Sequence, residues 1–462
     1  MDKSKLICEL AGIVGRDSVL SCRRDLLVYE YDATPDVSMP EYVVFPRDAS
    51  EAAAIMSVAR REGLAVVPRG AGTNLSGGTV PLKGGIVLAL TRMTEVRSLD
   101  VESQRAEVEA GLVNLEFQGF IAPHGHLFAP DPSSQKVSTL GGNVGENAGG
   151  PHCFKYGITT NHVYGLEAVL SDGQVVHTGG AAEDSPGYDL TGLIVGSEGT
   201  LAAVTSMVVR LMRVPEAIKT MLAIFDTLED CGNAVSDTIA AGIIPATLEI
   251  MDRPLIAEVE SSTHTGYPLD AEAVLLIELD GMKEELEGQS QRMVEICRRN
   301  HVRTVHVAQD DAERDELWRG RRVAYSAMVK LAMGSTVHDT TVPRTKLAET
   351  LRQVRDIADH YRIRVGTAAH AGDGNLHPLV VYDPRDLEEV ERVHSADKEI
   401  VRLCVAMGGT LSGEHGVGIE KRDYMPLLFT EDELAHMREI KRIFDPEGLL
   451  NPGKLLPLDG TT

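Results

Sequence analysis

The chain is short of aromatic side chains, of positive charge and of paired cysteines. Aromatics make up 4% of 462 residues, with a single tryptophan, which disfavours a base-stacking surface. Lysine and arginine total 45 against 69 aspartates and glutamates, a formal net charge of −24. That balance repels nucleic acid and anionic membrane surfaces. The six cysteines are Cys8, Cys22, Cys153, Cys231, Cys297 and Cys404, and no two have CxxC spacing. This excludes a local iron–sulfur motif and fits a reduced, cytoplasmic compartment. No apolar run approaches the roughly 20 residues that span a bilayer, so membrane association is expected only through a partner subunit. The opening residues mix lysines with Glu9 and Asp17, unlike a secretory signal.

Glycine, by contrast, is abundant: 44 residues, against a usual share of about 7%. These glycines cluster without a period, which points to functional loops. Hydrophobic residues at 43% and charged residues at 25% are ordinary for a globular chain with a full core. At about 150 residues per domain, the length suggests two or three domains.

The expected organisation begins with a strand at 42–46 and a helix after Ser50 with Ala54, Ile55, Val58 and Ala59 at helical spacing. A strand at 64–68 completes a β-α-β unit, and another follows at 86–90. Residues 101–113 alternate like hairpin or edge strands, and a helix covers 115–123. Residues 129–163 show little regular signal. Asp172-Gly173 marks the turn of a hairpin over 165–179, and 201–212 reads as one long strand. A boundary is expected near Val214–Pro215. Beyond it, strands at 220–225, 246–251 and 274–279 alternate with helices ending at Ala241 and Arg299, which predicts an antiparallel sheet covered by helices. Further helices are expected near 311–331, near 345–360 and from about 431. The resulting division is 1–214, 215–430 and a helical segment 431–462, an α+β chain.

Three glycine-rich loops carry the first functional signal. RGAGTNLSGG (69–78) follows a strand, where backbone N–H groups can turn toward an anion. It is not a P-loop, because Gly78 stands where lysine is needed, and Leu75 breaks the dinucleotide fingerprint GxGxxG. TLGGNVGENAGG (139–150) and DLTGLIVGSEGTLAAVT (189–205) are the others. Three such loops suit an extended cofactor hydrogen-bonded by backbone groups along its length.

Taken with PDPSS at 130–134 and NPGK at 451–454, these loops resemble the FAD-linked oxidase family of the vanillyl-alcohol oxidase superfamily. Within it the resemblance is to the branch of D-lactate dehydrogenase and the flavin-bearing chain of glycolate oxidase. It implies a two-subdomain FAD-binding domain, then a ferredoxin-like α+β substrate domain, with C-terminal helices packing back on the flavin domain. By this resemblance Gly70, Gly72, Thr73, Asn74 and Ser76 hold the FAD pyrophosphate, with Arg69, Ala71 and Gly77 in the same loop. Ser138, Gly142, Asn143 and Gly149 line the isoalloxazine and ribityl chain, flanked by Pro130, Asp131, Gly141, Asn147 and Gly150. Glu198, Gly199 and Val204 contact the adenosine half, and Asn451 returns from the C-terminus. Nothing supports covalent attachment through histidine.

The second signal is TAAHAGDGNLHPLVVY (367–382). GDGN reads as a turn between two strands. A four-residue loop there pairs Ala371 with Leu376 and His370 with His377, placing two imidazoles on one face with Cβ atoms about 4.5–5.5 Å apart. Glu414, in GGTLSGEHGVG (408–418), offers an oxygen ligand. Two histidines and a carboxylate suit Zn(II), Mn(II) or Fe(II); the bland alternative is an unliganded cross-strand pair. HAGDGNLHP followed by SGEHGVG matches family members in which His, His and Glu bind a divalent metal near the flavin.

The chemistry this implies is oxidation of a small D-2-hydroxy acid, D-lactate or glycolate, to the 2-oxo acid with hydride passing to flavin N5. His415 is the expected base, and Arg321, among Arg319, Arg321 and Arg322, is the expected carboxylate holder. In D-2-hydroxyglutarate dehydrogenases a lysine and an asparagine hold a second carboxylate, whereas Val337 and Leu379 align there, favouring a monocarboxylate. Nothing resembles a nicotinamide site, so a quinone, a cytochrome, an electron-transfer flavoprotein or an iron–sulfur subunit is expected to reoxidise the flavin. A homodimer is compatible with all of this. The rival readings are a D-2-hydroxyglutarate or D-malate dehydrogenase, a non-catalytic flavoprotein electron-transfer subunit, and a metal-dependent hydrolase.

Overall fold

The computed structural model describes residues 3–180, 182 and 186–458. It divides into two compact units. The first comprises the chain up to Gly149, Gly157–Val214 and the chain from Glu414; the second comprises Gly150–Tyr156 and Pro215–Gly413.

In the first unit, helix α1 (Lys3–Val14) precedes a four-stranded sheet of β1 (Val19–Leu20), β2 (Tyr42–Val44), β3 (Val66–Arg69) and β4 (Ile86–Ala89), in the order β1-β2-β4-β3. β2 and β3 both run parallel to β4, joined by helix α2 (Ala49–Glu62). Asp48 caps α2 by accepting the Glu51 N–H at 2.9 Å, and Gly63, at φ +67°, ends it in the left-handed region. Ala52, Ile55, Met56, Val58 and Ala59 form its buried face, while Ala54 is half-exposed.

A second sheet is antiparallel, in the order β5-β6-β9-β7-β8, with β5 (Val96–Asp100), β6 (Arg105–Glu109), β7 (Val163–Val169), β8 (Val175–Gly179) and β9 (Ala203–Arg210). The first hairpin turns over residues 101–104, five residues later than its first strand begins, so the alternation from Val101 starts inside the turn. Helix α3 (Asn114–Ile121) buries Phe117, which meets Phe128 edge-to-face at 5.8 Å.

Residues 129–163, expected to be irregular, contain helix α4 (Leu140–Glu146) and a shorter turn of helix at Cys153–Tyr156. Thr139 caps α4 at the Gly142 N–H, and Leu140 and Val144, four residues apart, are buried. Packing of that pair outweighs the poor helix propensity of the glycines. The C-terminal helix, Glu431–Phe444, leads into a segment that extends the first sheet: Val66 N–H donates to Leu449 O and Asn451 N–H to Val66 O, both at 2.8 Å.

The second unit is an eight-stranded sheet covered by helices. Its strands β10 (Ala217–Phe225), β11 (Thr247–Asp252), β12 (Ala273–Gly281), β13 (Thr304–Val307), β14 (Gly334–Val337), β15 (Arg364–His370) and β16 (Asn375–Tyr382) order as β13-β10-β12-β11-β15-β16-β14, and Thr340–Thr341 also pairs with β16. Every pairing in this sheet is antiparallel. The expected helices occur at Leu228–Ala240, Lys283–Arg299, Asp311–Val329 and Leu347–Tyr361. Two more, Arg253–Thr263 and Leu387–Ala406, were not apparent from the sequence. Leu248 and Ile250 face one core while Met251 faces another, so β11 is buried on both sides.

The β15–β16 hairpin corrects the expected register. His370 pairs with Asn375 and Ala368 with His377. Ala371 is drawn out of the hairpin because its N–H donates to Leu248 O at 2.8 Å. The turn closes instead on His370 O, which accepts from Asp373 and Gly374 N–H at 3.2 and 3.0 Å.

Candidate functional site

The first unit contains a glycine-lined cleft. Arg69, Gly70, Gly141, Gly142, Gly199 and Val204 line it, together with Glu146 and Glu198. The backbone approaches are too close for side chains. A Cβ on Gly70 would stand 2.2 Å from Thr139 Oγ1, and one on Gly141 would stand 2.8 Å from Ala110 O. Arg69 is buried, donates to Tyr31 O at 2.8 Å and lies over the Tyr29 ring.

The remaining residues of the first loop are turned inward. Asn74 Oδ1 accepts from Ser76 N–H, Ser76 Oγ and Gly78 N–H at 2.8, 3.1 and 2.7 Å. Asn74 and Ser76 therefore shape the loop, while Ala71 is exposed and Gly72 and Thr73 are half-buried. Gly77, at φ +79°, packs under Ile419. Asn451 Nδ2 donates to Gly78 O and Glu198 O, both at 2.7 Å, clipping two loops together. Asn147 ends α4 at φ +52° and its Oδ1 accepts Thr160 N–H at 2.9 Å, while Pro130 O accepts Asn114 Nδ2 at 2.9 Å. Asp131 is half-buried and Gly149 buried; Gly150 falls in the second unit.

Several buried polar atoms around this cleft have no hydrogen-bond partner: Ser138 Oγ, Asn143 Nδ2 and Glu146 Oε2. Unsatisfied donors and acceptors beside a glycine-lined cleft fit a polar, extended ligand such as FAD.

Glu198 adopts φ +53° and its two carboxyl oxygens accept the Val417 and Gly418 N–H at 2.6 and 2.7 Å. Burial nevertheless pushes both Glu198 and Glu146 up, and Glu146 is raised further by the facing Glu198. Lys454 is buried nearby, donating to Val80 O and Asn451 Oδ1, and desolvation lowers it to about 8. Glu146 was not singled out from the sequence.

The second unit contains the histidine pair. His370 and His377 are diagonal neighbours on one face, rings 4.9 Å apart and nearly perpendicular, with ring nitrogens within 4.8 Å. His377 Nδ1 donates to His338 O at 3.1 Å. His370 Nδ1 lies 2.5 Å from Glu249 Oε1. Both rings therefore commit Nδ1 to an oxygen acceptor, and each offers a ring nitrogen close enough to the other's for the two to ligate one ion. Arg321 Nε donates to Glu249 Oε2 at 2.7 Å. Arg319 and Arg322 are exposed, bonded to Glu316 and Asp315.

Burial pushes Glu249 up, but His370 and Arg321 together outweigh it and hold the carboxyl below its usual range. Val337 pairs directly with Leu379, and Leu379 lies on the same face of β16 as His377, an apolar stretch beside the imidazoles. Asp339, fully buried, offers an oxygen within 4.8 Å of a His377 nitrogen and accepts Gly413 N–H at 3.0 Å. The chain then passes to Glu414 and His415, both half-buried, which open the last segment of the first unit. Sequence reading passed over Glu249 and Asp339. A glutamate inside the wholly buried strand TLEIMD was the available signal, because an ionised carboxyl there requires partners.

The mixed helix–strand fold and its glycine-lined cleft are joined by sequence matches that make the chain an FAD-dependent oxidoreductase. Residues 40–179 match the family described as FAD binding domain, and residues 214–455 match FAD linked oxidases, C-terminal domain; the chain belongs to the FAD-linked oxidases. It is 42% identical to glycolate oxidase subunit GlcD of Bacillus subtilis (strain 168), over 98% of this chain and 96% of that protein. Identity to D-lactate dehydrogenase of Archaeoglobus fulgidus is 35%, over 93% of this chain and 95% of that one. Among solved structures, p-cresol methylhydroxylase with substrate bound shares the fold, with a TM-score of 0.82 at 16% identity, covering 99% of this chain and 97% of that chain. No helix of the described residues is long and apolar enough to cross a membrane.

Proposed function

We propose that the chain dehydrogenates a small D-2-hydroxy acid, D-lactate or glycolate, to the 2-oxo acid. The observation carrying this reading is the histidine pair, ring centroids 4.9 Å apart with both Nδ1 positions committed, His370 sharing the Glu249 carboxyl with Arg321. Bound FAD supplies the hydride acceptor. Bound to His370, His377 and Glu414, a divalent ion (Zn, Mn or Fe) supplies a Lewis acid that lowers the pKa of the substrate hydroxyl. Arg321, its Nε fixed by Glu249, keeps its two terminal nitrogens for the substrate carboxylate, a bidentate match. His415 takes the hydroxyl proton. Val337 and Leu379 give a second carboxylate no partner, which favours a monocarboxylate over D-2-hydroxyglutarate or D-malate.

In the first unit, the loops around Gly70, Gly142 and Glu198 hold the cofactor, with Ser138 and Asn143 offering their unpaired atoms to it. Electrons leave to a partner: an electron-transfer flavoprotein, an iron–sulfur subunit, a cytochrome or a quinone. The GlcD relatives, named as subunits, support the partner reading.

The test is an anaerobic visible spectrum of the purified protein before and after D-lactate, then glycolate. Bleaching of the flavin bands by one acid, lost after chelator treatment while the flavin stays bound, is expected. Flavin that no 2-hydroxy acid bleaches would overturn the dehydrogenase reading. Bleaching that survives complete metal removal would overturn the metal's part in it.

A further inference from the structure

We propose that Glu249 is a positioning residue that sets two groups of this site at once: one oxygen fixes the His370 tautomer and the other aims Arg321. The inference rests on the metal and substrate roles proposed above for those two residues. Its geometry stands within the second unit alone.

Strands β11 and β15 pair antiparallel with Glu249 directly opposite His370. Their side chains therefore share one sheet face. The Glu249 side chain has no exposure to solvent, so water cannot replace either partner. His370 Nδ1 is 2.5 Å from Oε1, and Arg321 Nε is 2.7 Å from Oε2. An ionised carboxyl only accepts hydrogen bonds. When neutral, the His370 ring must therefore carry its proton on Nδ1, which makes Nε2 its ligating atom. His377 reaches the same tautomer through a backbone carbonyl, His338 O, which no side-chain substitution removes. His370 thus holds its Nδ1 proton on a replaceable side-chain acceptor.

Glu249→Gln makes this visible with almost no change of shape. An amide has one acceptor oxygen and one donor nitrogen. Arg321 can only donate, so the amide oxygen must serve Arg321. The amide nitrogen then faces His370 Nδ1, which must become an acceptor, and the ring proton moves to Nε2, where it blocks the metal position.

The test uses full-length, flavin-loaded protein stripped of metal. Nitrogen NMR of ¹⁵N-histidine protein, with His370 assigned by its loss in His370→Asn, reads the tautomer directly. Mn(II) titration followed by electron paramagnetic resonance reads affinity. Wild type is expected to show the proton on Nδ1 of His370. Glu249→Gln is expected to show it on Nε2, with His377 unchanged, and to bind Mn(II) about 10–100-fold more weakly.

A wild-type His370 protonated on Nε2 overturns the proposal without any variant, so a failure of Glu249→Gln to fold leaves it testable. Glu249→Gln that keeps the Nδ1 proton and wild-type Mn(II) affinity also overturns it. A tautomer switch in protein whose wild type takes up neither Mn(II) nor Zn(II) upholds the positioning role and sinks the metal reading instead.

Discussion

Glu249 in the second unit and Glu198 in the first are buried carboxyls, Glu146 facing Glu198 is half-buried, and loss of solvent drives each toward its neutral form. They shift in opposite directions because of what faces them. Glu249 meets a guanidinium and an imidazole, one per oxygen, and is held low. Glu146 meets another carboxyl: a Cβ on Gly416 would stand 2.5 Å from Glu146 Oε2 and 2.9 Å from Glu198 Oε1, so the two acids face each other across a glycine. Both are raised. The lesson is that depth of burial says little about charge; the sign and number of immediate donors decide it. A carboxyl flanked by two donors is fixed as an acceptor, whereas two facing acids resist ionising.

The largest effect should come from removing the anchored anion. Glu249→Leu leaves the half-buried Arg321 and the buried His370 without their shared partner, and breaking a mostly buried pair costs about 3 kcal/mol. Urea unfolding of the purified protein measures it. Adding Arg321→Met should return part of that loss; an additive double variant would show that the two residues do not act as a pair. A smaller loss is expected from Lys454→Met on the other side of the comparison. It strands Val80 O and Asn451 Oδ1, which accept from Lys454 Nζ, at about 1–3 kcal/mol. Unfolding at pH 7 checks this, with flavin content as a second reading, since Asn451 clips two cleft loops.

How legible each side was follows from the sequence distance of its contacts. The Asp172-Gly173 hairpin and the strands flanking α2 are local patterns and were readable as such. The histidines His370 and His377 were readable as sharing a face, because seven residues around a turn fix that. Their register was not, because Ala371 is claimed by Leu248, on a strand far back in the chain. Helix α4 was hidden by glycines whose low propensity is overridden by the packing of Leu140 and Val144. Glu249 was invisible for the same reason as the register: its partners lie 121 and 72 residues away. The glycine-rich loops announced themselves through composition, yet Glu146, the acid among them, acquires meaning only once Glu198 is seen opposite.

The subtlest test of the comparison is the pH dependence of stability, where the two kinds of carboxyl must have opposite signs. Glu278 in the second unit represents the anchored kind: buried, it is nevertheless held at about 2 by His152, Arg314, Trp318 and Thr220. Its folded value lies below the unfolded one, so its contribution is present above pH 4.5 and fades as pH falls toward 2. Glu146 is the reverse. Its folded value lies above 4.5, so the folded state holds a proton that the unfolded state has released. Stability from Glu146 is present below pH 4.5 and is lost as pH rises through the folded value. One retained proton corresponds to a slope of about 1.4 kcal/mol per pH unit at most. Glu146→Gln removes that proton exchange while keeping the shape. Denaturant unfolding between pH 5 and 8 should therefore show a flatter decline in the variant than in wild type, and the variant should gain on wild type toward pH 8. Glu278→Gln should lower stability throughout that range, because it removes an anion that three donors and a histidine already stabilise. Parallel slopes for wild type and Glu146→Gln would mean that Glu146 is ionised in the folded protein, and the contrast between the two units would then rest on Glu198 alone.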